Sequence, residues 1–491
     1  MSTKQKLVVN SISMLLSRLV QSIASFILSA AIARILGAEE LGKYLLAFSY
    51  YYIFMSIVSQ GLKTFFIREL SRKELDTSVY LVNGTLLQFI FAIIGYIVLV
   101  VIVFLLPYND DTSNICYIMG LTIIPFSLSN ITEAVFTSQE KMHIIAILTI
   151  PVYILRVLVM IRAMQLNYNT VHLAGVMFIS EALIFVFEWF LLTRTVKLKL
   201  QINRNFIEHI LQAARTFLLI EGIGAFSNRI EILILSLLGN EFLIGLFGGI
   251  TQLMQPFLLI ANSVAIAFFP AMSKTLESGR EKQRQITEVF IEMLMIIALP
   301  FLVGLLFMGQ DLLIFVYDLR FIEATLALKV TALTLILSPF NRSLSYLLVA
   351  NDLERINLRE VICTTILGCL LGAFLVSQYK LLGAAIMWLL MSLSAFSQFM
   401  YTVYNRLFSL NLWRIIRRPL LVSSLIMLVL IILEKMDISF LVKLVVLTLA
   451  YCLFVSVVII NIFVKDKNIW RSFLKKYGNS FKYLVFFRKN K

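Results

Sequence analysis

The chain has 491 residues, 60% of them hydrophobic and 14% charged, with a formal net charge of +15 at pH 7. That much apolar surface cannot be hidden inside a water-soluble globule of ordinary domain size, so lipid is the solvent the composition calls for. The surplus of Lys and Arg is spread over short connections rather than gathered on one soluble face, which argues against a nucleic-acid partner and for contact with membrane lipids.

The first apolar run, near 11–36, is too long for a cleavable leader, carries Arg18 and Arg34 and lacks a small-residue cleavage pattern, so it reads as the first span. Continuous runs of about 20 residues follow, which suit helices and exclude the short alternating strands of a barrel. Spans are expected over 12–36, 41–62, 79–106, 114–137, 144–163, 170–193, 216–238, 243–269, 287–308, 327–349, 360–377, 382–405, 418–434 and 440–464. The fold class expected is therefore all-α, a polytopic membrane protein of about 14 helices. Cys116, Cys363, Cys369 and Cys452 fall inside apolar runs and read as small buried hydrophobes without disulfides.

Basic residues in short loops stay on the inner side of a membrane. With the N-terminus inside, the inner connections hold Lys63, Arg68, Arg72 and Lys73, then Arg194, Lys197, Lys199 and Arg204, then Lys274, Arg280, Lys282 and Arg284, and finally Arg414, Arg417 and Arg418. This bias leaves both termini cytoplasmic. The tail, 465–491, interleaves basic residues with Trp470, Phe473, Tyr477 and Phe481, as a segment lying on the membrane surface would.

An internal echo organises the chain. Leu36-Gly37-Ala38-Glu39-Glu40-Leu41-Gly42, after the first span, returns as Leu238-Gly239-Asn240-Glu241-Phe242-Leu243-Ile244-Gly245, after the seventh. Each copy sits on a short outer turn and leads into an apolar helix followed by a basic inner stretch. The reading is two pseudo-symmetric six-helix bundles, 1–205 and 206–410, followed by two further helices over 411–464 and the tail over 465–491. Two such lobes predict a central cavity and alternating access by rocking.

Polar groups at bilayer depth face a watery cavity or a partner, because exposing them to lipid is costly. Glu221, Gly224, Asn228 and Glu231 follow near-helical spacing in the seventh span, with Arg229 on the flank. The eighth adds Gln252 and Gln255 beside Pro256, the tenth adds Pro339, Asn341 and Arg342, and the fourth adds Asn130 and Glu133 after Pro125. Arg18, Asn228, Arg229, Gln252, Gln255 and Arg342 are the candidate substrate contacts, since Arg with amides suits an anionic phosphate attached to a sugar. Glu133, Glu221 and Glu231 are the candidates for ion pairs or for carrying a coupling proton or sodium ion; no other cofactor is called for. An interhelix hydrogen-bond seam is the alternative reading of the polar stripe. His143, His172 and His209 have no metal-ligand spacing, no Gly-rich phosphate loop is present, and Asp110-Asp111 reads as a solvated pair, so nothing points to catalysis.

The opening resembles the polysaccharide exporters, the O-antigen and capsule flippases of the superfamily that also holds the MATE drug antiporters and the lipid II flippase. The residues that carry the likeness are Ser17-Arg18, Ala33-Arg34-Ile35-Leu36-Gly37, Glu40-Leu41-Gly42-Lys43-Tyr44, Gly61-Leu62 and Ile67-Arg68-Glu69-Leu70-Ser71-Arg72. The resemblance implies transfer of an undecaprenyl-diphosphate-linked polysaccharide repeat unit across a bacterial inner membrane. It also implies Arg18 as a cavity cation, a structural role for Arg34, a lipid-tail groove shaped by the last two helices, and other polysaccharide-assembly membrane proteins as partners. A multidrug antiporter, a lipid II flippase and a membrane-embedded polymerase are the competing readings.

Overall fold

The computed structural model describes residues 3–71, 77–196, 204–274, 279–436 and 438–465; the basic-aromatic tail beyond 465 lies outside them. The described residues form no strand. Helices α1 (Thr3–Ile35) and α2 (Ala38–Met55) are followed by a π-helical turn, Ser56–Gln60, that runs into α3 (Gly61–Ser71). Then come α4 (Thr77–Leu105), α5 (Asp110–Leu121), α6 (Ile123–Ser138), α7 (Met142–Gln165), α8 (Thr170–Thr195), α9 (Arg204–Ser227) and α10 (Ile230–Leu238). The rest is α11 (Glu241–Lys274), α12 (Arg280–Val316), a 3-10 turn, α13 (Thr325–Ala332), α14 (Thr334–Ala350), α15 (Glu354–Arg406), α16 (Leu412–Lys435) and α17 (Phe440–Lys465).

The burial pattern is that of a protein dissolved in lipid. Phe104, Leu105, Leu370, Phe374 and Leu421 are exposed, whereas Asn83, Gln88, Ser127, Thr132 and Glu188 are buried. In hydrocarbon an unpaired polar group costs several kcal/mol, roughly, so polar side chains turn inward and apolar ones outward. Of the cysteines only Cys116 is buried; Cys363, Cys369 and Cys452 face outward with the other apolar side chains, and all four are free.

Among the described residues, eleven helical stretches are long and apolar enough to cross a membrane, and the pair Leu319–Ala332 and Thr334–Ala350, bent by 42°, makes a twelfth. Helix α15 is two spans, because Lys380 (φ 49°, ψ −120°) interrupts it between the two runs expected there. The run expected over 216–238 falls on α9 and α10, which break between Ser227 and Ile230. One break has a legible cause: Pro125 has no N–H to offer the carbonyl of Leu121, and the chain changes helix at Thr122, one turn upstream.

Two compact units follow helix halves rather than consecutive stretches of chain. The first comprises Met1–Gln255, Leu313–Thr331 and Leu358–Ala395; the second comprises Pro256–Leu312, Ala332–Asn357 and Phe396–Lys491. Within the first, α1 packs along α7, α4 against α6, α6 against α8 and α2 against α5. Within the second, Val289, Met293 and Ile296 of α12 form a core with Val422 of α16 and Val455 of α17. Buried Glu288 and Glu292, one turn apart on α12, receive Arg414 (3.5 Å) and Arg418 (2.9 Å), one turn apart on α16, so a two-rung ion-pair ladder ties α16 to α12.

The turn between α1 and α2 is built around Gly37, whose φ of +105° favours glycine. Just before it, Arg34 donates through Nε to the carbonyl of Val316 at 2.8 Å and through Nη2 to the carbonyl of Phe315. These are orphan carbonyls at the last turn of α12, and a guanidinium there caps the helix and matches its dipole. Arg34 thus makes the contacts of a structural residue.

Candidate functional site

In the first unit, α9 ends at Ser227 and α10 begins at Ile230, so Asn228 and Arg229 occupy a break inside a span. The break interrupts the stripe read from the sequence: Glu221 and Asn228 are exposed, whereas Glu231, in the first turn of α10, is buried. Arg229 turns onto α2, where its guanidinium lies 4.8 Å from the ring centre of Tyr52 and 5.5 Å from that of Phe48. Residues 48 and 52 are one helical turn apart, so a single face of α2 offers both rings. A cation over aromatic rings keeps its N–H groups for hydrogen bonds, and Nε of Arg229 is buried without a partner.

The other sequence candidates are placed as follows. Arg18 is on the exposed side of α1, next to Ser17, whose hydroxyl lies 3.2 Å from that of Thr149 on α7. Gln252 is half-buried and Gln255 exposed, one turn apart on α11. Arg342 is half-buried on α14, in the second unit. Glu133 pairs with Lys63 of α3, which also donates to Asn130 Oδ1 at 2.9 Å; Asn130 in turn donates to Ser59 in the π-helical turn.

That pair belongs to a buried polar core that the sequence reading did not single out. Arg156 of α7 meets Glu181 of α8 at 2.8 Å and stacks on Tyr153 at 4.7 Å. Two turns further along α8, Glu188 is fully buried; its Oε2 lies 2.6 Å from the hydroxyl of Thr132, and its Oε1 has no partner. Gln88 of α4 donates at 2.9 Å to the carbonyl of Val58 in the π-helical turn. A signal was present: an Arg and two Glu inside apolar runs, with Glu181 and Glu188 seven apart on one helical face, need partners on neighbouring helices.

The second unit contains an apolar cavity of about 280 Å³ between α11, α12, α16 and α17. Pro256, Phe257, Pro300, Ile426, Leu447 and Tyr451 are among the residues that line it. Gly304 contributes to its width: a Cβ there would meet nothing nearer than Leu447 at 4.0 Å. Such a lining accepts hydrocarbon and offers almost nothing to a charged headgroup.

These features agree with a family profile and with three solved structures. A family profile described as polysaccharide biosynthesis protein matches residues 31–326. The fold is similar to that of the lipid II flippase MurJ in an inward closed conformation, with a TM-score of 0.73 and 14% identity over 93% of this chain and 100% of that one. It is also similar to an inward-facing MATE multidrug resistance transporter of the MOP superfamily, with a TM-score of 0.62 and 13% identity over 78% of this chain and 94% of that one. A MOP superfamily transporter from Pyrococcus furiosus gives a TM-score of 0.57 and 14% identity over 82% of this chain and 95% of that one. No curated protein matches the sequence. At these identities the structural likeness establishes the fold, and the profile, covering more than half of the chain, establishes the family. With its all-helical spans and inward-turned polar core, the chain is a polytopic membrane protein that belongs to the polysaccharide biosynthesis protein family and has the fold of MOP-superfamily transporters.

Proposed function

We propose that the protein moves an undecaprenyl-diphosphate-linked polysaccharide repeat unit, of O-antigen or capsule type, from the inner to the outer leaflet of a bacterial cytoplasmic membrane by alternating access. Both termini are cytoplasmic in this reading, the protein performs no catalysis, and other polysaccharide-assembly membrane proteins are its partners. The observation that carries it is Arg229: a guanidinium over the rings of Phe48 and Tyr52 in a broken span, with a buried Nε still to be satisfied. A diphosphate supplies the acceptors such an edge takes, in the bidentate geometry that distinguishes Arg from Lys. Asn228 and Gln252 add amides for sugar hydroxyls, with Arg18, Gln255 and Arg342 as further contacts. Glu133, Glu221 and Glu231 stay as ion-pair or coupling groups, of which Glu133 is paired with Lys63.

The apolar cavity supports the lipid half of the proposal, since a polyprenyl chain has to be kept beside a polar headgroup while that headgroup crosses. The two-copy organisation is supported by the matched helix starts of α2 and α11. The fold is more similar to the lipid II flippase MurJ (TM-score 0.73) than to the MATE transporter (TM-score 0.62), which favours a flippase over a drug antiporter, and lipid II is then the alternative cargo.

The test is reconstitution. With purified protein in vesicles, a polyprenyl-diphosphate-linked oligosaccharide placed in one leaflet should become accessible to a membrane-impermeant lectin on the other side, and Arg229→Ala should slow this at least tenfold. Equal rates with and without protein would refute the proposal, and transfer restricted to lipid II would establish the alternative cargo.

A further inference from the structure

We infer that Glu188 holds a proton as a neutral carboxylic acid, and that α6 and α8 build around it a buried proton-binding site, whatever the protein carries. The first argument counts hydrogens. The hydroxyl oxygen of Thr132 lies 2.7 Å from the carbonyl oxygen of Ser129 and 2.6 Å from Glu188 Oε2. Two contacts this short between oxygens need two hydrogens. A threonine hydroxyl has one, and a carbonyl and a carboxylate have none. The second hydrogen therefore sits on Glu188: its O–H donates to Thr132, and the Thr132 O–H donates to Ser129.

The second argument counts charge. Glu133 of α6 is paired with Lys63 of α3, and Glu181 of α8 with Arg156 of α7. Among the described residues, Tyr153 of α7 and Tyr44 and Tyr51 of α2 are further titratable groups on this side of the bundle; Glu40 and Lys43 of α2 pair with each other at its outer end, Cys116 of α5 is a buried thiol, and Asp110 and Asp111 stand exposed in the first turn of α5. Two cations thus face three carboxylates, and Glu188 is the one left over. As an anion it would be fully buried, with one oxygen unpartnered and Glu133 within electrostatic reach; such a charge is not tolerated without a neutralising partner. As an acid its Oε1 is an ordinary carbonyl oxygen, much cheaper to leave unpaired.

The site lies beside an irregular piece of backbone, the π-helical turn. Ser59, in the π-helical turn, is joined through Asn130 to the Lys63–Glu133 pair. Single π turns inside α-helices collect at functional sites. A shift there that drew Lys63 from Glu133 toward Glu188 would let the proton leave, which gives transport an ion to couple to.

Infrared spectroscopy of the purified full-length protein in lipid nanodiscs at neutral pH reads this directly. The wild type should show the C=O band of a buried protonated carboxyl, which Glu188→Gln removes and Glu221→Gln leaves in place. Thr132→Val should shift the band, because the acid loses its acceptor, and Lys63→Met should add a second band as Glu133 loses its partner; these two variants carry the test if Glu188→Gln does not fold. A band unchanged in Glu188→Gln, or unshifted in Thr132→Val, overturns the inference. So does a missing band in the wild-type protein; if sodium ions then stabilise the wild type against heat more than potassium ions do, with Glu188→Gln indifferent to the choice, sodium occupies the site instead.

Discussion

Gly42 and Gly245 hold the same helical position, the fifth residue of α2 and of α11, and each faces the backbone carbonyl that opens the other's helix. A Cβ on Gly42 would stand 1.7 Å from the carbonyl oxygen of Glu241, and one on Gly245 would stand 1.8 Å from that of Ala38. The contact is reciprocal: residue one of each helix meets residue five of the other. Both glycines belong to the echoed sequence motif, so the repeat and the crossing are one feature, and it supports descent of the two helices from a duplicated unit.

Alanine at either position must push two backbones apart. Overpacking of this kind costs about 1–3 kcal/mol, and backbone has less freedom to yield than side chains have. Gly42→Ala and Gly245→Ala are each expected to lower the melting temperature in detergent and to abolish complementation. Gly175→Ala, where a Cβ meets nothing within 4 Å, should be neutral or gain up to about 1 kcal/mol from helix propensity. Equal melting temperatures for all three would show that the crossing is not tight.

Arg34 is expected to act on stability through α12. Removing its cap from the Phe315 and Val316 carbonyls should cost about 1–2 kcal/mol, as loss of a charged partner at a helix end does. Arg34→Lys should recover only part of that, since an ammonium cannot fork across two carbonyls. Melting temperatures of wild type, Arg34→Lys and Arg34→Ala, falling in that order, check the assignment.

The ladder between α12 and α16 predicts a charge-swap rescue. Glu292 is buried and Arg418 is about one quarter exposed, so removing one partner should cost roughly 1–3 kcal/mol, below the value for a fully buried pair. Glu292→Gln and Arg418→Gln are each expected to lower the amount of folded protein recovered from membranes. Glu292→Arg combined with Arg418→Glu should restore much of it, and no rescue by the swap would mean that the pair is not what docks α16.

Filling the apolar cavity separates transport from stability. Gly304→Leu places hydrocarbon where a Cβ has room, so the melting temperature should hold or rise while transfer of a polyprenyl-linked substrate falls severalfold. Unchanged transfer would remove the cavity from the lipid's path.

Much of this architecture was legible in the sequence, because long apolar runs admit one solution in lipid, helices that satisfy their own backbone. The break at Thr122 follows from Pro125 by the same local reasoning. The interruption at Lys380 falls between the two runs expected over 360–377 and 382–405, where Lys380 donates to the carbonyl of Leu238 at 3.0 Å. The break at Asn228–Arg229 does not follow, since no proline marks it. The site was legible in its residue types and hidden in its partners. Arg229 stood out as a cation in an apolar span, yet nothing nearby in the chain tells that Phe48 and Tyr52 would receive it. Glu181 and Glu188 were hidden for the opposite reason: they sit singly in a very apolar run, and only the fold brings Arg156 and Thr132 to them.

The central claim is that this protein exports a lipid-linked glycan, and the most direct measurement is made in the host. The gene should be deleted and polyprenyl-diphosphate-linked oligosaccharide quantified in membrane extracts, with complementation by wild type and by Arg229→Ala at matched protein levels. Completed lipid-linked units should accumulate and surface glycan should fall, with rescue by wild type and failure by Arg229→Ala. An unchanged lipid-linked pool and unchanged surface glycan, together with new sensitivity to cationic drugs, would contradict the account and make the protein a drug antiporter.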